Sequence, residues 1–159
     1  MKPAARIAVP LVAVAALAGC AHSPSTAAIV GDKVISEAEV TEAVNSCRKI
    51  NPQIKRLDVL FPLILGEIAD EVSPKLGRTI DASKLRAAME ADPDASQAFG
   101  TPCQKVVEGE LKMRYLQASV DVEAVLQELP RVEINPRYGA WSPRGIDRRG
   151  GSISVETKS

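Results

Sequence analysis

The chain has 159 residues, 45% of them hydrophobic, with 20 Lys plus Arg balanced by 20 Asp plus Glu. That is enough for one compact domain and too little for two comfortable ones. Zero net charge argues against a dedicated nucleic-acid binder, and one His with three Cys leaves few soft metal ligands. The composition also excludes a disulfide-dense miniprotein, a collagen-like chain and a strongly acidic disordered chain.

Lys2 and Arg6 give the chain a positive start, and Ile7 to Leu17 follows as an uncharged run of 11 residues. A basic start, an apolar stretch of this length and small residues after it make a secretion signal. The run is too short for a hydrocarbon core, which takes about 20 apolar residues, and Pro10 interrupts it. Leu17-Ala18-Gly19-Cys20 then matches the lipobox of bacterial lipoproteins. Small residues let the backbone fit a signal peptidase, and the thiol takes a diacylglycerol through a thioether. The resemblance implies an exported chain that starts at lipidated Cys20. Its contact with the membrane is then the acyl anchor, each buried CH2 adding ~0.8 kcal/mol. Loss of Lys2 and Arg6 leaves 18 basic residues against 20 acidic. His22 falls in a His-Ser-Pro-Ser-Thr tether and is expected to serve neither metal binding nor acid–base chemistry.

Ala27-Ala28-Ile29-Val30 reads as a short strand, Gly31-Asp32 as a two-residue hairpin turn and Lys33-Val34-Ile35 as the returning strand. Ser36, with Glu39 at capping-box spacing, opens a helix whose apolar face is Val40, Ala43, Val44 and Cys47; Pro52 ends it near Ile50. A second helix is expected from Asp58 to about Pro74, with Pro62 near its first turn and a stripe of Leu60, Leu63, Ile64, Ile68 and Val72. A third, short helix starts at Asp81 or Ser83 and turns Leu85, Ala88 and Met89 inward, with a further helical turn before Gly100. Thr101-Pro102 and Gln104 open another helix, to about Ser119, with Cys103, Val107, Leu111 and Tyr115 in one stripe broadened by Val106. Asp121 caps a last helix through Leu129, with Val122, Val125, Leu126 and Leu129 apolar. After Pro130, Arg131 to Asn135 alternates polar and apolar as a half-buried strand does. A strand at each end with helices between predicts that the ends pair. The fold class is mostly α: about five helices and a small β-ribbon. The chain divides into a lipoprotein signal peptide over 1–19, a tether over 20–26, a helical domain over 27–142 and a disordered tail over 143–159.

Ala28-Ile29-Val30-Gly31-Asp32-Lys33-Val34-Ile35-Ser36-Glu37-Ala38-Glu39-Val40 resembles the opening of the SurA/PrsA-type chaperone module, also seen in trigger factor relatives. Val132-Glu133-Ile134-Asn135-Pro136-Arg137-Tyr138-Gly139-Ala140-Trp141 resembles the close of actinobacterial lipoproteins that carry it. Fuller members hold a parvulin-type prolyl isomerase domain before the closing strand. Here Pro130 leads almost directly from helix to strand, which leaves no room for it. The resemblance implies a SurA N-terminal-like fold and a chaperone-like module without isomerase catalysis.

Cys47 and Cys103 fall on apolar helix faces 56 residues apart. In an oxidising compartment they form a disulfide or remain two buried thiols; the disulfide is the reading favoured here. Glu37, Glu39, Glu42, Glu67, Asp70, Glu71, Glu108 and Glu110 recur at helical spacing and read as a solvated face. The chain has no Gly-rich phosphate loop, HExxH, CxxC or G-x-S-x-G. Tyr138 and Trp141 either line a groove for an extended client or cover the end of the helical core. The expected function is a membrane-anchored extracytoplasmic module that holds exported unfolded polypeptides; docking of one envelope protein is the alternative. No catalysis, cofactor, metal, nucleic acid or small-molecule substrate is expected.

Overall fold

A computed structural model of the protein describes residues 23–142 and 144–148. The signal sequence, Cys20, His22 and residues 149–159 lie outside the described residues. The chain is mostly helical, with a small antiparallel sheet built from its N- and C-terminal sides. The order is β1 (Thr26–Val30), β2 (Lys33–Ser36), α1 (Glu37–Cys47), α2 (Arg56–Lys75), α3 (Ala82–Ala91), α4 (Pro93–Ser96), α5 (Gln104–Ser119), α6 (Val122–Gln127) and β3 (Val132–Ile134). A 3-10 turn (Pro136–Tyr138) leads to β4 (Ala140–Ser142) and β5 (Gly145–Asp147).

The two ends do pair. β1 lies between β2 and β3, with Val30 opposite Lys33 across the hairpin turn. On its other edge Ala28 faces Ile134 and Val30 faces Val132, both antiparallel. Two expected boundaries move outward. Thr26 belongs to β1, and the amide of Glu37 donates to the Ser25 carbonyl at 2.8 Å, so the folded unit includes the second half of the 20–26 tether. At the other end, residues 145–147 pair with β4, Trp141 opposite Ile146, so the expected disordered tail over 143–159 is ordered over this stretch. Gly139 makes the return possible. Its φ of 117° is left-handed space, and a side chain there would overlap the Asp147 carbonyl.

α2 is the central beam. Val59, Leu60, Leu63, Ile64, Ile68, Ala69 and Val72 are all buried, as a helix flanked on several sides requires. It begins at Arg56 because the Asp58 carboxylate reaches back to accept the Lys55 amide at 2.8 Å. Pro62 is therefore a true interior proline, not a first-turn one, and the Asp58 carbonyl has no i+4 amide partner.

α5 packs on α2 through a different face from the one its hydrophobicity suggests. The buried residues are Val106, Gly109, Met113 and Leu116, while Val107, Leu111 and Tyr115 are only half-buried. The reason is backbone contact: a Cβ at Gly66 would lie 3.1 Å from the Gly109 Cα, and one at Gly109 would overlap the Pro62 carbonyl. Residues without side chains bring the two helices together, and Gly109 fixes which face of α5 turns inward. The expected cap also acts one turn early. Thr101 Oγ1 accepts from the Cys103 amide at 3.2 Å and Gln104 Oε1 from the Gly100 amide at 2.8 Å, ahead of the helix start.

On α3, Leu85 and Met89 are buried but Ala88 is exposed, and on α6 only Val125 is buried. Val122 and Leu126 face outward, because a six-residue helix with Val125 buried has one contact face. Cys47, the last residue of α1, is disulfide-bonded to Cys103, just before α5, with Cα atoms 5.0 Å apart.

Gly109→Ala should lower stability by about 2 kcal/mol, overpacking outweighing the better helix propensity of alanine; a shift of the urea midpoint to lower denaturant checks this. Replacing Cys47 and Cys103 together by Ala should remove ~4 kcal/mol on chain-entropy grounds. Reduced wild-type chain should unfold with the double variant, and denatured wild-type chain should reveal two further thiols only after reductant.

Candidate functional site

The residues singled out by sequence lie mainly at the closing segment, where Asn135, Pro136, Arg137 and Tyr138 follow β3. Asn135 is 7% exposed and fully engaged. Its amide donates to the Ala27 carbonyl at 2.8 Å, its Nδ2 to the Thr26 carbonyl at 3.0 Å, and its Oδ1 accepts the Arg137 amide at 3.2 Å. It thus extends the β1–β3 pairing and caps the 3-10 turn with one side chain. Pro136 at the first position of that turn sets its φ.

The turn delivers Tyr138 inward. It is 7% exposed, and its hydroxyl lies between two charged groups. Arg56 Nε donates to it at 2.6 Å, and it donates to Glu37 Oε2 at 2.7 Å. Arg56 Nη2 also donates to Glu37 Oε2 at 2.5 Å, to the Glu37 carbonyl at 3.0 Å and to Thr41 Oγ1 at 2.9 Å. Arg137 Nη1 stands 3.7 Å from Glu37 Oε1, and its Nη2 donates to the Pro24 carbonyl at 3.0 Å. Glu37 Oε1 itself is buried and accepts no hydrogen bond. One carboxylate, at the first turn of α1 where the helix dipole favours negative charge, therefore gathers α1, α2, the segment before β1 and the closing turn.

The electrostatics fit a structural cluster. Burial pushes the Tyr138 phenol above its ordinary value, with the Arg56 hydrogen bond acting in the opposite sense and Glu37 adding to the rise. Burial works against the Arg56 cation, but its bonds to Tyr138 and Glu37 more than offset this and hold its pKa above the usual value. At neutral pH the phenol remains a protonated donor and the guanidinium stays charged. Neither offers an open position for acid–base chemistry.

Trp141 is half-buried in β4, its ring 6.1 Å from that of Phe61 on α2 at a 39° tilt. Tyr138 and Trp141 thus both pack against the body, and the buried tyrosine ring offers little face to a partner. Glu37 departs from the solvated face assigned to the helix carboxylates, with its side chain only 15% exposed. Others of the set stay near the surface in ion pairs, Glu39 with Lys105 at 2.7 Å and Glu71 with Lys75 at 2.9 Å. Cys20 lies outside the described residues. Among the described residues no group of three or more His, Cys, Asp or Glu is placed to hold a metal ion, and no helix is long and apolar enough to cross a membrane.

Sequence reading missed Glu37 and Arg56 as members of this cluster, and Phe61 as the partner of Trp141. The strand register carries a signal for the first. With Ala28 opposite both Ile35 and Ile134, residues 36–37 and 135–138 fall at the same end of the sheet. The chain matches no family model, no curated protein and no solved structure.

Tyr138→Phe leaves the Glu37–Arg56 pair without its bridging hydroxyl and should cost about 1.5–3 kcal/mol in urea unfolding near neutral pH. Because the folded phenol is pushed above the ordinary 10.0, its contribution is fully present below about pH 10 and is lost as pH rises through the raised value. The gap between wild type and Tyr138→Phe should therefore narrow in alkaline buffer.

Proposed function

We propose that this chain is a lipid-anchored extracytoplasmic protein whose domain is a chaperone-like module of SurA/PrsA type, holding exported unfolded polypeptides without catalysis. The observation that carries the reading is the pairing of β1 with β3, which brings the two family-like segments together as one closing unit. The lipobox at Cys20 supports the anchor, and the Cys47–Cys103 bond suits an oxidising compartment. Support for a non-catalytic role comes from the closing segment, whose Tyr138, Arg56 and Glu37 are occupied with one another.

A second reading, docking of one envelope protein, is favoured by the surface. Among the described residues the exposed large apolar side chains are Val34 at 59%, Val122 at 52% and Leu126 at 45%. Val122 and Leu126 stand four apart on α6 and Val34 lies on the edge strand β2, three side chains being few for one broad apolar surface.

The full chain in several-fold excess should suppress aggregation of a chemically unfolded client, and no suppression would remove the chaperone-like reading. Crosslinking in cells then separates the two: many captured polypeptides mark a chaperone, a single one marks docking. Cys20→Ser should release the protein from the membrane fraction, and retention of that variant there would overturn the anchor.

A further inference from the structure

A groove of about 440 Å³ lies where the end of α1, the start of α2, α4 and the start of α5 meet. Its floor is apolar, formed by Ile50, Ile54 and Val107 beside the Cys47–Cys103 bond. Its rim carries four exposed carboxylates, Asp58, Asp92, Asp94 and Glu110, and its lining includes no Lys or Arg.

None of these four carboxylates is ion-paired among the described residues. Asp58 and Asp92 are oriented by backbone amides, Asp58 by that of Lys55 and Asp92 by those of Asp94 and Ala95. Such bonds fix a carboxylate in place without neutralising it. Asp58 and Glu110 also border an adjoining hollow lined by Arg144 and Arg148, so the charge is least opposed at the Asp92–Asp94 end. The chain elsewhere pairs its carboxylates across elements, Glu39 with Lys105 and Asp70 with Lys112. Here four are gathered around an apolar floor, open to a cation from outside.

We propose that this groove binds an extended polypeptide segment that carries Lys or Arg beside apolar side chains. The apolar side chains lie on the isoleucine and valine floor, and the cations meet the rim. Charge complementarity sets which segments are drawn in, and apolar burial holds them. The inference rests on the protein-holding reading above and adds the class of segment held and the place that holds it.

The probe is a fluorescent peptide of about ten residues alternating Leu and Lys, titrated with the full chain in nonionic detergent against empty micelles. A matched peptide has Glu for Lys. The variant is Asp94→Asn with Glu110→Gln, since neither side chain accepts a helix-capping bond. We expect the Lys peptide to bind, its affinity to fall with added salt, and the double variant to weaken it by about ten-fold while keeping the wild-type urea midpoint. The Glu peptide should not bind. Equal binding of both peptides, or unchanged affinity in the variant, overturns the proposal. So does a gain in affinity on truncation after Arg148, which would assign the groove to the chain's own last residues. Self-association dissolved by peptide would assign it to a second copy and likewise overturn it. The client-aggregation assay separates this inference from the reading it rests on. Wild-type chain that protects the client yet does not bind the Lys peptide removes the groove and leaves the chaperone-like role. Wild-type chain that binds peptide but protects no client does the reverse.

Discussion

The fold depends on β3 lying against β1. Three residue pairs align the strands, and Asn135 extends the alignment by two hydrogen bonds to residues 26 and 27. A strand pairing this short is marginal alone. It holds because the next three residues bury Tyr138 against Arg56 and Glu37, so that a local turn and a long-range ion pair stabilise the same closure. Removing either leaves the other unsupported: an open β3 exposes the Glu37 carboxylate, and a missing phenol leaves a part-buried arginine–carboxylate pair short of a partner. The closing segment is in this sense part of the core of the domain rather than an appendage.

Two further constraints act away from that closure and on different parts of the helical body. The Cys47–Cys103 bond ties the last residue of α1 to the approach of α5, shortening a loop of 56 residues. The Gly66–Gly109 contact sets how near α5 comes to α2 and which side it presents. α2 takes part in the closure and in the helix contact, through Arg56 at its start, Phe61 under Trp141, and Pro62 and Gly66 under α5. That explains why it tolerates a proline at an interior position. The backbone there is held by its neighbours on several sides, so the missing amide costs less than it would in an isolated helix.

What could be read in the sequence was whatever is written in side-chain periodicity. The α1 face of Val40, Ala43, Val44 and Cys47 and the α2 stripe from Leu60 to Val72 are both buried as their spacing requires. The alternation around Ile134 located β3, and the Gly31-Asp32 turn set the hairpin register. What escaped was information held by residues with no apolar side chain. Gly109 contributes nothing to a hydrophobic pattern, yet it turns α5 toward Val106, Met113 and Leu116 and away from the stripe of Val107, Leu111 and Tyr115. A glycine inside a helix is unfavourable by about 1 kcal/mol, and that penalty is itself the signal of a close backbone approach. Glu37 was hidden for a related reason. Its helical spacing places it among surface carboxylates, and only the meeting of the chain ends buries it.

The geometry also bears on how an anchored domain works. On the proposed anchoring at Cys20, the four residues to Pro24 span at most about 14 Å. The Pro24 carbonyl accepts a bond from Arg137, so that anchoring would hold the closing turn and Glu37 near the bilayer. α1 starts at Glu37 and runs 11 residues to Cys47, which carries the chain roughly 16 Å along the helix axis to the disulfide and the acid-rimmed groove. The proposed attachment and the proposed binding thus fall at opposite ends of one helix. The closing cluster is occupied with holding the fold, and the groove with unpaired charge lies a helix length away. The rigid helix, and not the proposed tether, separates the groove from the proposed attachment point.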